Sequence, residues 1–107
     1  MKGFDLDGVV TLGIYPGPDD VIVSGRSIEE AHATLGELRA RGIKNQVFFA
    51  PWSMAEKSRR KSGEWKARVI GIMFIQTFFE DDPVQARVIR QRCPGICLVT
   101  VNGVGKK

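Results

Sequence analysis

Apolar and polar positions change period several times along the chain, and each change marks an element. Residues 2–6 open as a short strand, and Gly8 lets the chain leave it in a tight turn. GIYPGPDD, residues 13–20, is dense in glycine and proline and reads as a loop feeding a second strand around Val21 to Val23. Ser27 and Glu30 have the spacing of a capping box, after which Ile28, Ala31, Leu35 and Leu38 share one helical face until Gly42 stops the helix. QVFFA, residues 46–50, is a buried third strand ended by Pro51. Ser53 with Glu56 offers another capping box ahead of a helix carrying Trp65, Val69 and either Ile72 or Met73. Gln76 to Phe79 forms a fourth strand. Asp82 caps and Pro83 starts a helix reaching about Arg92, and ICLVTV, residues 96–101, is rich in β-formers. The tail VNGVGKK is expected to fray.

Strands alternating with helical stretches are the signature of βαβ units, so the expected fold is α/β with a largely parallel five-stranded sheet and three or four helices. At 107 residues and 43% hydrophobic content, the chain supports a single domain over 1–107 with an ordinary core, and a second domain does not fit.

Charge changes this picture more through its distribution than through the net value of +4. Basic residues gather at Lys57, Arg59, Arg60, Lys61, Lys66 and Arg68, and again at Arg87, Arg90 and Arg92. Acidic residues gather as Asp5 with Asp7, Asp19 with Asp20, and Glu80 with Asp81 and Asp82. Carboxylates crowded beside an apolar strand repel one another and lose hydration, an arrangement that a bound cation compensates. Cys93 and Cys97 lie four apart with no histidine nearby, which supports neither a disulfide framework nor a zinc site. MKGFDLDGVV does not resemble a signal peptide and no apolar run is long enough to span a bilayer, so a soluble, cytoplasmic protein with no membrane partner is expected.

Open parallel sheets bind ligands beyond the carboxyl ends of their strands. Asp5 and Asp7 close the first strand and Glu80, Asp81 and Asp82 close the fourth, so the two clusters face each other if those strands are neighbours. Hard oxygen ligands from two strands make a reasonable Mg²⁺ site, and the ion would neutralise a bound phosphate.

FDLDGVVT, VIVSGRS, the lysine of SGEWKARVI, and FFEDDP followed by a helix resemble, in order, the four motifs of the haloacid dehalogenase superfamily of phosphatases and phosphotransferases. The resemblance covers nearly the whole chain, and its first motif is the most specific. It implies a three-layered Rossmann-like domain with strand order 3-2-1-4-5, and Mg²⁺-dependent hydrolysis of a phosphomonoester on a small phosphorylated metabolite or nucleotide. Asp5 matches the nucleophile that becomes an aspartyl phosphate, and Asp7 the general acid/base, whose backbone carbonyl also reaches the metal. Ser24 and Gly25 match the phosphate-binding hydroxyl and its permissive neighbour, and Lys66 the residue balancing charge on the transferring group. Asp81 matches the acidic metal ligand, with Asp82 as a direct or indirect partner of the ion. Each has a plainer rival: Asp7 as turn chemistry, Ser24 as a loop hydroxyl, Lys66 as part of a solvated basic face, Asp82 as a helix N-cap. His32 reads as structural, and Trp52 and Trp65 read as packing ahead of substrate stacking.

The chain departs from the family in its connections. A dozen residues separate Thr11 from Ser24 and about fifteen separate Pro51 from Lys66, so no cap domain fits in either gap. Even the flap that usually follows the first motif is compressed into LGIYPGPDD. An open site suits a large substrate, or a small one enclosed by a neighbouring subunit of a homo-oligomer. A nucleic-acid end phosphatase, motivated by the basic run KSRRKSGEWK, and a non-catalytic domain that kept the fold and metal site remain as alternatives. A receiver domain uses similar groups, but its phosphorylated aspartate follows the third strand, where this chain has Ala50 and Pro51.

Overall fold

The computed structural model describes residues 1–101; of the tail expected to fray, VNGVGKK, only Val101 is described, its N–H donating to the Glu80 carbonyl at 2.8 Å, and residues 102–107 lie outside the described residues. Five strands run β1 (Lys2–Phe4), β2 (Val21–Ser27), β3 (Val47–Ala50), β4 (Thr77–Glu80) and β5 (Cys97–Thr100). Three helices are interleaved: α1 (Ala31–Ala40), α2 (Arg59–Met73) and α3 (Pro83–Arg92). All sheet pairings are parallel and the order is β3-β2-β1-β4-β5, so β1 and β4 are neighbours, with Gly3 opposite Phe78 and Phe4 opposite Phe79. The α/β class and the strand order match the expectation, and among the described residues no connection holds a cap.

Period-two alternation divides the core into two layers. Val21, Val23 and Phe78 point to one face and pack with Ala67, Val69 and Ile70 of α2 and Ile89 of α3. Phe4 and Ile22 point to the other and pack with Leu38, Ile43, Val9 and Val10, while Phe4 stacks on Phe79 at 4.4 Å between ring centroids. Gly3 leaves room for the neighbouring Phe78 side chain, since a Cβ there would come within 2.7 Å of its ring. Among the described residues no helix is long and apolar enough to cross a membrane.

Several boundaries move, each for a local reason. The Ser27–Glu30 capping box forms, but it closes a 3-10 turn at Ile28–Glu30 before α1 begins. Ile28 is consequently exposed, and the inward face of α1 is built on Thr34 and Leu38. His32 is also exposed. Ser53 and Glu56 do not cap a helix: the Ser53 hydroxyl donates to the Glu56 carboxylate at 3.1 Å, and only a 3-10 turn, Met54–Glu56, follows. The helix starts at a different serine, Ser58, whose Oγ accepts from the Lys61 N–H. Along α2, Met73 packs on the core while Ile72 is exposed. Asp82 and Pro83 start α3 as expected, the Asp82 carboxylate accepting from the Val84 N–H.

Candidate functional site

β1 and β4 run side by side, so their carboxyl ends bring Asp5 next to Glu80 and Asp81. The Asp5 N–H donates to the Phe79 carbonyl at 2.9 Å, carrying the pairing one residue past β1 and fixing the Asp5 backbone. Its carboxylate is buried and accepts from the Leu6 N–H at 2.8 Å and from the Lys66 ammonium at 2.8 Å. The same ammonium donates to Glu80 Oε1 at 2.9 Å. Glu80 Oε2 accepts from the N–H groups of Asp81 and Asp82, each at 3.1 Å, and so holds the turn from β4 into α3.

Lys66 is 1% exposed and Glu80 0%. An ammonium removed from water that far is tolerated only when paired, and here it bridges two carboxylates. Burial alone would lower the Lys66 pKa; the charges of Asp5 and Glu80 outweigh it and raise the pKa, so Lys66 stays protonated. Burial pushes Asp5 well above the usual carboxylate range, with Glu80 adding to the shift and Lys66 opposing it. One ammonium shared between two carboxylates leaves the cluster short of positive charge.

Backbone constraints place the third acid. Gly8 has φ +83°, and a Cβ there would lie 1.9 Å from Asp81 Oδ2, so the turn after β1 and the turn after β4 abut at this glycine. Thr11 Oγ1 accepts from the Gly8 N–H at 2.9 Å and closes the turn, which accounts for Gly8 and Thr11 in the first motif. Asp5, Glu80 and Asp81 each offer a carboxylate oxygen, all within 4.8 Å of one another. An all-oxygen set of acids suits a hard divalent cation such as Mg²⁺.

The carboxylates of Asp7 and Asp82 lie outside this set; for Asp7 the contact expected from the sequence was its backbone carbonyl, and for Asp82 a direct or an indirect one. Asp7 is exposed and held by a two-pronged contact with Arg26, Nη2 to Oδ1 at 2.7 Å and Nε to Oδ2 at 3.1 Å. Partial burial would raise the Asp7 pKa, but hydrogen bonds and charge from Arg26 win and lower it. Arg26 is itself braced, donating from Nη1 to Thr34 Oγ1 of α1 at 2.9 Å. Asp82 is occupied by its capping role and by Arg59, which reaches it through Nη2 and through Nε at 3.1 Å.

A cleft of about 260 Å³ opens beside the three acids, lined by Asp5, Asp7, Gly8, Gly25, Lys57, Ser62, Lys66, Asp81 and Gln85. Of the residues expected to bind phosphate, Gly25 and Lys66 line it. Ser24 does not: it is fully buried and its hydroxyl accepts from the Arg26 N–H at 2.9 Å. β2 is irregular here, the five residues from Val23 to Ser27 spanning the same stretch as three of β3, Phe48 to Ala50, and Gly25 in this stretch comes close to Ser62 of α2. A Cβ on Gly25 would meet Ser62 Oγ at 2.7 Å, so the hydroxyl on the cleft wall belongs to Ser62.

Sequence reasoning put Glu80 in the acidic cluster at the end of the fourth strand without a role of its own and gave none to Ser62 or Arg26, although each carried a signal. Glu80 follows Phe78 by two, which sends it to the α2 face where Lys66 lies. Ser62 precedes Lys66 by one helical turn. Arg26 leaves β2 at the carboxyl edge, where site residues collect. No protein-family model, curated protein or solved structure matches the chain.

Proposed function

We propose that the protein is a Mg²⁺-dependent phosphomonoester hydrolase of the haloacid dehalogenase type, working through an aspartyl phosphate on Asp5. The observation that carries this reading is the pairing of Lys66 with both Asp5 and Glu80 in a buried cluster that opens, through Asp81, onto a polar cleft. Such a cluster is costly for stability alone, since well-packed apolar side chains of similar volume do as well or better. Chemistry accounts for its retention.

Asp5 attacks phosphorus with a carboxylate oxygen, and the bond from phosphorus to the ester oxygen breaks. Asp7 gives the departing oxygen its proton. Water then attacks the phosphorus of the aspartyl phosphate, Asp7 takes the water's proton, and the Asp5 carboxylate is released. Splitting the displacement in two lowers each barrier. Lys66 orients Asp5 and offsets charge on the transferring group, with the Gly25 backbone and the Ser62 hydroxyl lining the space for phosphoryl oxygens. Asp5, Glu80 and Asp81 are the residues that would hold Mg²⁺, which when bound supplies the positive charge that the cluster lacks. Arg26 favours the ionised form of Asp7, so Asp7 acts as an acid only after it turns from Arg26 and takes up a proton. The expected substrate is a small phosphorylated metabolite or nucleotide, and the expected compartment is the cytoplasm.

Phosphate release from a panel of nucleotides, sugar phosphates and phosphorylated oligonucleotides, with and without Mg²⁺, tests the proposal. Mg²⁺-dependent release that falls by more than about 10³-fold in Asp5→Asn supports it. Release that survives the substitution, or none from any ester while Mg²⁺ still binds, overturns it.

A further inference from the structure

α2 presents a second cleft next to the first. Ser62 and Lys66 face the acids, while Lys61, Trp65 and Arg68 form the neighbouring stripe of the same helix. With Pro51, Trp52 and Glu64 they line a space of about 300 Å³ at the carboxyl end of β3, the same edge of the sheet as the acids. Trp52 is pinned there by the Ser27 hydroxyl, which donates to its carbonyl at 2.6 Å.

The two indoles meet edge to face, with centroids 6.4 Å apart and planes at 74°. That geometry cannot close both ring faces on each other, so aromatic surface stays on the cleft wall. The indole N–H of Trp52 and that of Trp65 are both buried without a hydrogen-bond partner among the described residues. A side chain kept only for packing gains nothing from an orphaned donor, and phenylalanine or leucine would fill the volume without one. Cationic groups surround the rings. The Lys61 ammonium lies 5.9 Å from the Trp52 ring centroid, and exposed Arg68 forms no ion pair among the described residues. The single acid of the cleft, Glu64, is neutralised by Arg60 at 3.3 Å and Arg92 at 3.1 Å. Lys57, on the wall of the acid cleft, extends the positive charge between the two spaces.

We propose that the Trp52–Trp65 cleft is a nucleobase subsite for single-stranded nucleic acid, whose terminal phosphate lies in the Asp5 cleft. The position of that phosphate rests on the hydrolase reading above; the subsite itself does not. Aromatic faces beside a cationic track are how proteins hold single strands without reading sequence. The two clefts sit on adjacent faces of one helix, whose diameter with side chains is about 10 Å, so a base adjoining the terminal phosphate can reach the second cleft. Among the described residues no cap stands between the two clefts.

Because the chain has two tryptophans and both line this cleft, intrinsic tryptophan emission reports on it alone. The probe is single-stranded DNA of roughly twelve nucleotides with hydroxyl ends, titrated without metal so that no turnover is involved. Three ligands serve as comparisons: an abasic chain of the same length, a nucleoside monophosphate and inorganic phosphate. The base-bearing chain is expected to quench emission with an affinity that falls steeply as salt rises, while the abasic chain binds weakly and leaves emission unchanged. Trp52→Leu should weaken binding about tenfold, as should Lys61→Glu combined with Arg68→Glu, and these exposed charge reversals keep the test valid if the tryptophan variant fails to fold. Equal binding of abasic and base-bearing chains, or no quenching, overturns the subsite. Quenching as strong with the mononucleotide as with the chain overturns the assignment to nucleic acid. Quenching without phosphate release from any ester leaves the subsite standing and removes the hydrolase, and release without quenching does the reverse.

Discussion

Asp5 shows how much of this site's chemistry is set by what surrounds a single carboxyl group. Burial disfavours its charged form, Glu80 adds a like charge, and Lys66 only partly offsets both, so the folded-state pKa is raised well above the usual range. The sign follows directly. An acid whose folded pKa lies above its unfolded value of about 3.9 is disfavoured in the fold once ionised, and the penalty is relieved as pH falls through the folded value. Asp5→Asn removes that charge while Lys66 keeps its bond to Glu80. Thermal unfolding in EDTA at neutral pH should therefore place the variant's midpoint at or above the native one, and acidification should close the gap as native Asp5 takes up its proton. A variant clearly less stable at neutral pH would mean that the bond to Lys66, and not burial, dominates. A gain in stability with loss of turnover is the trade expected of a group retained for chemistry.

At the scale of elements, helix starts carry much of the organisation. α3 begins with Asp82 accepting from the Val84 N–H and with Pro83 in the first turn, where its missing N–H costs nothing. Partial burial would raise the Asp82 pKa, but Arg59 and the cap hydrogen bond lower it. A carboxylate with a depressed folded pKa contributes fully above the unfolded value of about 3.9 and loses its contribution as pH falls through the folded value. Asp82→Ala should cost about 1 kcal/mol at neutral pH, or roughly 4–8 °C in thermal midpoint, with the difference from the native chain vanishing as pH falls well below about 4. A loss that persists unchanged in acid would assign the effect to packing. The same start also positions chemistry, because Glu80 holds the turn that leads into it while pairing with Lys66. α2 works in a comparable way: Gly63 lets it approach α3 so closely that a Cβ would meet Val88 at 3.0 Å, and this brings Gln85 to the cleft that Ser62 and Lys66 line.

For the whole molecule, the site is a junction of three separate segments. β1 supplies Asp5, α2 supplies Lys66, and the end of β4 supplies Glu80 with Asp81. In the folded chain three carboxylates crowd one ammonium, and an unfolded chain cannot assemble that set. A cation that binds only the assembled set stabilises the fold, by about 2.7 kcal/mol at a hundredfold excess over Kd. Thermal scans in Mg²⁺ should accordingly show a midpoint more than about 10 °C higher than in EDTA, and Asp81→Asn should abolish most of the rise. An unchanged midpoint across millimolar Mg²⁺ would remove the metal from the account, whatever the activity data say.

What the sequence determined by itself was local or periodic. Alternation of two and of 3.6 residues marked the five strands and the helices, Gly42 and Pro51 punctuated them, and Asp82 with Pro83 was readable as a helix start because capping is settled within four residues. The acids at the ends of the first and fourth strands were legible as two clusters for the same reason, since strand ends follow from pattern, but that they face each other required those strands to be neighbours. Tertiary structure decided which groups meet. Whether Ser53 or Ser58 starts α2 depended on competing hydrogen bonds, and Ser53 was lost to Glu56. Whether Asp7 and Asp82 point at an ion or at an arginine depended on Arg26 and Arg59, brought in from β2 and α2. Glu80 became the second partner of Lys66 only because β4 lies beside β1 beneath α2, and Ser24 gave the cleft wall to Ser62 only because β2 is irregular there. Charge pairing over long sequence separations has no period and no local propensity, so spacing along the chain does not encode it; packing of the finished sheet does.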